Sequence, residues 1–311
     1  MKNLSSKNHF EQVIYENPAP STNQTITSQP KRRLPYILAS LTFCFLLILG
    51  TLTLTYLYRS PLISPLGELK QILGFGPLIK PHNKIVYGFL PYWNLKNTNI
   101  SYTDLTHLAL FGISYNPDGT IKTREADYAE PGWRNLTTNT TQIRSDAKSA
   151  NVKLILVLTA FDNDTIESII SSPPATATLI QETLAFMELY QYDGINIDFE
   201  YVGKATPTQT DNFTNFVSQL TQATKERNPD YHTSIDVYAD SINNKNLWNI
   251  AELGQLVDHI FIMAYDFYRP NSNTSGPVAP LYGGQALWRT DITTLIRQHL
   301  EINPPKNLIF A

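Results

Sequence analysis

Cysteine is nearly absent from this sequence. The 311-residue chain holds one, Cys44, which excludes an intrachain disulfide framework and any multi-cysteine metal site. Charge is scarce too. Charged residues make up 16% and hydrophobic residues 42%, so the chain is not a disordered polyelectrolyte. The net charge is −3 and unevenly spread. Residues 1–33 carry Lys2, Lys7, Lys31, Arg32 and Arg33 against Glu11 and Glu16, which is +3 and leaves −6 for the remainder. A weakly acidic body argues against a nucleic-acid partner. There is no HxH or HExxH spacing, so no metal site is expected. There is no glycine-rich dinucleotide fingerprint after the first strand-like run, and no internal repeat.

One long hydrophobic run is present. Residues 34–58, LPYILASLTFCFLLILGTLTLTYLY, contain no charge. As a helix they would extend ~37 Å, enough for a bilayer. The adjoining KRR places residues 1–33 in the cytoplasm and the remainder outside by the positive-inside rule. The expectation is a single-pass membrane protein anchored through residues 34–58, with Cys44 inside the bilayer. Residues 1–33 are rich in Asn, Ser, Thr, Gln and Pro and read as a disordered tail. Residues 59–83, with Pro61, Pro65, Pro77 and Pro81, read as a stalk.

From residue 84 the pattern changes. Short apolar runs recur at 84–90, 107–115, 152–159, 194–200, 232–239, 259–267 and 307–311. Amphipathic segments lie between most of them. Phe213, Phe216, Val217 and Leu220 share helical spacing within 208–228, as do Ile292, Leu295, Ile296 and Leu300 within 291–302. Near-continuous apolar strands alternating with helices indicate a parallel sheet. The fold class is α/β, and the expected architecture is a (β/α)8 TIM barrel over 84–311, preceded by the one transmembrane helix. The chain stops at Ala311, in the seventh strand, so it reads as a piece of a longer protein with an eighth strand beyond.

The fourth run, YDGINIDFEY (192–201), carries the chemistry. Strand side chains alternate faces, so Ile195, Ile197 and Phe199 share one and Asn196, Asp198 and Glu200 the other. In a barrel the second set points inward, with Glu200 nearest the C-terminal mouth where active sites of this fold sit. Buried amides and carboxylates in an interior usually filled by Val, Ile and Leu are costly unless hydrogen-bonded, and two acids on adjacent inward positions point to a functional site. Asp198 and Glu200 stand about 7 Å apart along one strand, too close to side by side to flank a scissile bond from opposite faces. The arrangement suits Glu200 as a proton donor with Asp198 below it as a like charge and a hydrogen-bonding group.

DGINIDFE (193–200) resembles the D-G-x-D-x-D-x-E signature of glycoside hydrolase family 18, with Asn196 in place of the middle Asp. MAYD (263–266) resembles the family's M-x-Y-D motif, and LTHLALFGISYNPDGTI (105–121) its second strand. The resemblance covers about residues 84–311. It implies hydrolysis of a polysaccharide containing β-linked N-acetylglucosamine, with the substrate's own acetamido oxygen attacking the anomeric carbon and with retention of configuration. Glu200 would be the general acid and then base. Asp198 would orient the acetamido group, Tyr265 would hydrogen-bond its oxygen, Asp266 would line the same subsite and Met263 its floor. Asp193 and Asn196 would support Asp198 from below. No cofactor is implied. The family's chitin-degrading members carry S-x-G-G on the third strand, where this chain has VLTA (157–160). The resemblance therefore points to the bacterial cell-wall and spore-associated branch, with peptidoglycan as plausible a substrate as chitin.

Phe89, Tyr92 and Trp93 follow the first strand, and with Tyr115 and Tyr238 they are candidates for stacking on sugar faces. His107, His232 and His259 open three strands at the opposite end and read as structural. The rival reading is a lectin-like carbohydrate-binding protein on the same barrel. Relatives of that kind generally lose the acid equivalent to Glu200, which this chain retains.

Overall fold

The computed structural model describes residues 34–58 and 84–311, apart from 245, 270 and 271. The expected tail (1–33) and stalk (59–83) lie outside the described residues. The chain divides into two compact units, 1–81 and 82–311.

In the first unit, helix α1 runs Leu34–Tyr58 without a charged residue in its first or last turn. Among the described residues no helix is long and apolar enough to cross a membrane; for α1, side chains are described only over residues 41–53. Cys44 is exposed on this helix.

The second unit is built on seven parallel strands: β1 (Tyr87–Pro91), β2 (His107–Ser114), β3 (Lys153–Ala160), β4 (Gly194–Phe199), β5 (His232–Tyr238), β6 (His259–Met263) and β7 (Leu308–Phe310). They pair in chain order, each parallel to the next, with no reversal of strand order. That sequence of neighbours belongs to a barrel sheet rather than a doubly wound one. The sheet curls strongly. The Tyr87 ring on β1 reaches across the interior to lie 5.9 Å from Phe261 on β6, and its hydroxyl lies 3.2 Å from Ser234 Oγ on β5. Among the described residues no ladder joins β1 to β7.

Helices α2 (Pro131–Thr138), α3 (Thr141–Ser149), α4 (Asn163–Ser171), α5 (Pro173–Tyr190), α6 (Pro207–Arg227), α7 (Ile250–Leu256) and α8 (Ile292–Ile302) fill the crossovers. Their starts are written in the sequence. Thr206 and Gln209 form a reciprocal capping box on α6 with Pro207 in its first turn, and Asp162 and Asp291 accept from the backbone N–H of Thr165 and Thr294. A small antiparallel hairpin, Arg124–Glu125 with Tyr128–Ala129, sits in the β2–α2 crossover.

Two apolar regions result. The large one lies between sheet and helices and takes Ile195, Ile197 and Phe199 from β4. The small one is inside the barrel: Ala109, Ile155 and Val157, packed by Tyr87, Phe89 and Phe111. The interior is therefore split, apolar along β1 to β3 and polar along β4 and β5, where Asn196, Asp198, Ser234 and Asp236 are all buried. The sixth expected strand span (259–267) is shortened: β6 stops at Met263, and Asp266 takes a left-handed φ of 59° that turns the chain out of the strand direction.

At the other end of the barrel, His107, His232 and His259 open β2, β5 and β6 and their rings pack together, with centroids 4.5 and 5.0 Å apart. Gly194, at the start of β4, packs so closely on β5 that a Cβ would overlap the backbone carbonyl of His232.

Candidate active site

The faces of β4 fall as its alternation dictates. Phe199 points outward and stacks on Phe216 of α6 with centroids 5.4 Å apart. Asn196 and Asp198 point inward and are buried, and Glu200 stands half-buried just past the strand end. The chain beyond is tied down: Glu200 N donates to Ala160 O at 2.8 Å, and Val202 and Asn163 exchange two hydrogen bonds of 2.9 Å. The loops after β3 and β4 thereby hold Glu200 at the mouth.

β5 supplies the matching set. HTSIDVYA places Ser234, Asp236 and Tyr238 on its inward face, opposite Asn196, Asp198 and Glu200. Asn196 Nδ2 donates to Ser234 Oγ at 3.0 Å and to Asp236 Oδ1 at 2.9 Å. One level up, the Tyr238 hydroxyl donates to Glu200 Oε2 at 2.9 Å. Asp198 Oδ1, between those levels, is buried without a hydrogen-bond partner in the protein. A cleft of about 250 Å³ opens onto this face, with Asp198, Glu200, Asp236 and Tyr265 as its polar lining and Phe89, Phe111, Phe261 and Met263 as its apolar wall. A larger cavity, about 440 Å³, lies alongside, lined by Tyr238, Tyr265, Asp266 and Arg269 among others, but it holds none of the three carboxylates Asp198, Glu200 and Asp236. The smaller cleft is where proton chemistry can occur.

Electrostatics follow from this crowding. Burial lifts the Asp198 carboxyl from the ordinary carboxylate range to about 7, and the neighbouring Glu200 adds to the rise. Burial raises Asp236 well above that range, with Asp198 adding to it and the Asn196 hydrogen bond partly offsetting it. Tyr265 is pushed up to about 12 by burial and then by the charges of Asp236, Asp198 and Glu200. Two buried acids side by side resist being charged together, which favours the protonated forms of Asp198 and Asp236.

The structure brings most of the sequence candidates to this cleft. Glu200, Asp198, Tyr265, Met263, Phe89 and Trp93 all line it, and Trp93 stands exposed at the rim, edge-on to Phe111 at 5.9 Å. Asp266 lines the adjoining cavity instead, with its carboxylate 3.6 Å from Arg269. Tyr238 acts on Glu200 directly and carries Arg269 over its ring at 5.6 Å. Three further expectations are corrected. Tyr115 is buried between β2 and α5, its hydroxyl 2.7 Å from Thr183 Oγ1, and does not reach the cleft. Asp193 is exposed at the base of β4 and accepts from Leu154 N at 2.8 Å, so it clasps β3 rather than supporting Asp198. Asn196 gives its amide hydrogens to Ser234 and Asp236, not to Asp198.

Asp236 is the residue that sequence reasoning missed, along with Phe111 and Phe261. The signal was available: Ser234, Asp236 and Tyr238 have the same spacing as Asn196, Asp198 and Glu200, and an acid within an apolar strand is costly wherever it occurs. Among the described residues no group of three or more His, Cys, Asp or Glu side chains converges as a metal site.

The family model of glycosyl hydrolases family 18 matches residues 84–310. Chitinase 1 of Aphanocladium album is 27% identical over 243 residues, which are 72% of this chain and 55% of that protein. YdhD of Bacillus subtilis (strain 168), named as a sporulation-specific glycosylase, is 26% identical over 208 residues, 63% of this chain and 46% of that one. This chain thus spans about half the length of both. The crystal structure of a Cycas revoluta chitinase in complex with (GlcNAc)3 superposes with a TM-score of 0.60 at 21% identity, covering 73% of this chain and 68% of the other. A match across the whole second unit, on a parallel barrel sheet with the acids of β4 at its mouth, makes this chain a member of glycosyl hydrolases family 18.

Proposed function

We propose that this chain hydrolyses a polysaccharide containing β-linked N-acetylglucosamine, chitin-like or peptidoglycan-like, with net retention and with the substrate's acetamido group as the nucleophile. The observation that carries the reading is the pairing at the mouth: Glu200 held by the Tyr238 hydroxyl, directly above a buried Asp198. Both carboxyls lie on one strand and one side of the cleft, an arrangement unsuited to a protein nucleophile facing a protein acid across the bond.

In this mechanism Glu200 gives its proton to the leaving glycosidic oxygen as the bond to the anomeric carbon breaks. The acetamido oxygen closes on that carbon, forming an oxazolinium-like ring, and Asp198 stabilises the positive charge that develops on the acetamido nitrogen. Tyr265, at the rim and lining the same cleft, donates to the acetamido oxygen. Glu200, now a carboxylate, takes a proton from water, whose oxygen opens the ring from the face the leaving group left. The proton returns Glu200 to its starting state, and the product keeps the β configuration. Met263 and Phe89 provide the apolar floor against which the ring and its methyl group pack. The reaction needs neither a metal nor an organic cofactor.

Similarity to chitinases and to YdhD, together with VLTA at 157–160, leaves both polymer classes open as substrates. The test is turnover of a chromogenic N-acetylglucosaminide or an N-acetylglucosamine oligosaccharide by the wild type and by Glu200→Gln. General acid–base catalysis contributes about 10²- to 10⁴-fold, so the variant is expected to lose at least about 100-fold in kcat. Equal rates would overturn the mechanism.

A further part of the proposal rests on the sequence alone, on the uncharged run 34–58 and the cationic KRR before it: residues 34–58 anchor the protein in a membrane with the hydrolase unit outside. Protease added to intact cells is expected to release the second unit; protection of that unit would overturn the orientation.

A further inference from the structure

Asp236 has no part in the mechanism above, yet it is among the most completely buried acids of the unit and lines the reacting cleft. Its surroundings are specific. Asn196 on β4 and Ser234 on β5 are register partners on the inward face. Carrying that register up two residues sets Asp198 beside Asp236, on adjacent strands about 4.8 Å apart. The level above holds Glu200 and Tyr238, which are hydrogen-bonded. Asn196 spends an amide hydrogen on Asp236 Oδ1, fixing that carboxyl in place, while Asp198 Oδ1 has no partner. The titratable groups facing this pair are Glu200 from the end of β4, Tyr87 from β1 and Tyr265 from the end of β6. Among the described residues no cation acts on this pair, so two negative charges there would go uncompensated.

We infer that Asp236 is a positioning residue that holds one proton in common with Asp198, taking over on β5 the place that Asn196 leaves without an acid on β4. The two carboxyls carry a single proton between them. When the acetamido group enters, the O–H bond of Asp198 breaks and one forms on Asp236. Asp198 becomes the anion the developing positive charge requires, and Asp236, the anion until then, becomes neutral. When product leaves, the proton returns. Net charge in the interior is conserved throughout, and no external acid is consumed. The neutral Asn196 and the extra acid on β5 are then one compensated exchange: an amide on β4 and an acid on β5, where acid on β4 and amide on β5 would place the same atoms in the same space.

This inference rests on the proposed hydrolase reading, and the experiment separates the two. Three variants are compared with wild type: Asp236→Asn, Asn196→Asp, and the double Asn196→Asp/Asp236→Asn. Asp236→Asn is expected to lose about 100-fold in kcat with KM changed little, because a proton store is lost and not a substrate contact. Asn196→Asp is expected to be impaired as well, with one more acid in the same interior. The double variant, which moves the acid to β4, is expected to recover to within about tenfold of wild type, or about 1.4 kcal/mol. Thermal unfolding checks that each variant folds. A fully active Asp236→Asn, or a double variant no better than its worse parent, would overturn the inference while leaving the hydrolase reading intact. If wild type turns over no substrate, the hydrolase reading fails and infrared spectroscopy decides the rest. A protonated carboxylic C=O band at pH 7 in wild type that disappears in Asp236→Asn supports the shared proton; a spectrum unchanged by the substitution overturns it.

Discussion

Replacing Asp198 by asparagine is expected to stabilise the protein at neutral pH even as it removes a group the mechanism needs. Asp198 is 4% exposed and its Oδ1 has no partner, so its charge is bought at the expense of the fold. The carboxyl is raised from 3.8 to about 7, foremost by burial. A raised acid binds its proton more tightly folded than unfolded. Its contribution is therefore complete below the unfolded value and is lost as pH rises toward the folded one. A rise of this size costs the folded state on the order of a few kcal/mol once the pH is above 7, and clearly less at pH 5. Asparagine has the same shape and no charge to desolvate. Urea unfolding of both proteins, followed by tryptophan emission at several pH values, reads the effect, together with the change it brings to the neighbouring Asp236. The variant's advantage is expected to grow between pH 5 and pH 8, by on the order of a few kcal/mol. An advantage that does not change with pH, or a variant less stable throughout, would refute the claim that this carboxylate is a buried, uncompensated charge.

Tyr238→Phe removes the hydrogen bond to Glu200 and little else; a loss of about 1 to 1.5 kcal/mol, about tenfold in kcat, is expected in steady-state assays. Phe199→Ala empties a fully buried site against Phe213 and Phe216 and is expected to cost about 3 to 5 kcal/mol by denaturant titration. Gly194→Ala drives a methyl group into the His232 carbonyl and is expected to yield no folded protein by circular dichroism. Burial, foremost, lowers the His107 imidazole to about 4, so its neutral form stabilises the fold above pH 6.5 and that contribution is lost as the pH falls toward 4. His107→Phe, which keeps a ring against Tyr87, is expected to reduce the stability lost between pH 7 and pH 4.5, by on the order of 2 kcal/mol.

Much of this was legible in the residues. The barrel strands could be read because parallel strands buried on both faces are apolar runs, and the helices because their caps are spelled out at Asp162, Thr206 and Asp291. The inward face of β4 followed from alternation alone. What escaped was relational. Asp236 is a single acid in its strand, and its meaning comes from Asn196 on the neighbouring one, a contact 40 residues away in sequence. Tyr115 was misplaced because a period of two gives a face but not the point where a strand ends: Tyr115 lies one residue past β2, where the chain has turned toward α5. Asp193 was misplaced for the same reason at the other end, since it precedes β4 and meets the backbone of β3. Asp266 left the cleft through its left-handed backbone, which the period of two along a strand does not encode.

The most direct test of the central claim is the anomeric configuration of the first product. Proton NMR during hydrolysis of a β-linked N-acetylglucosamine oligosaccharide, recorded before mutarotation, reads it. An initial β-anomer is the expected result, from two displacements with the substrate's acetamido group as nucleophile and Glu200 as the one protein acid. An initial α-anomer would mean direct attack by water across the cleft from Glu200, and would contradict the account of this site.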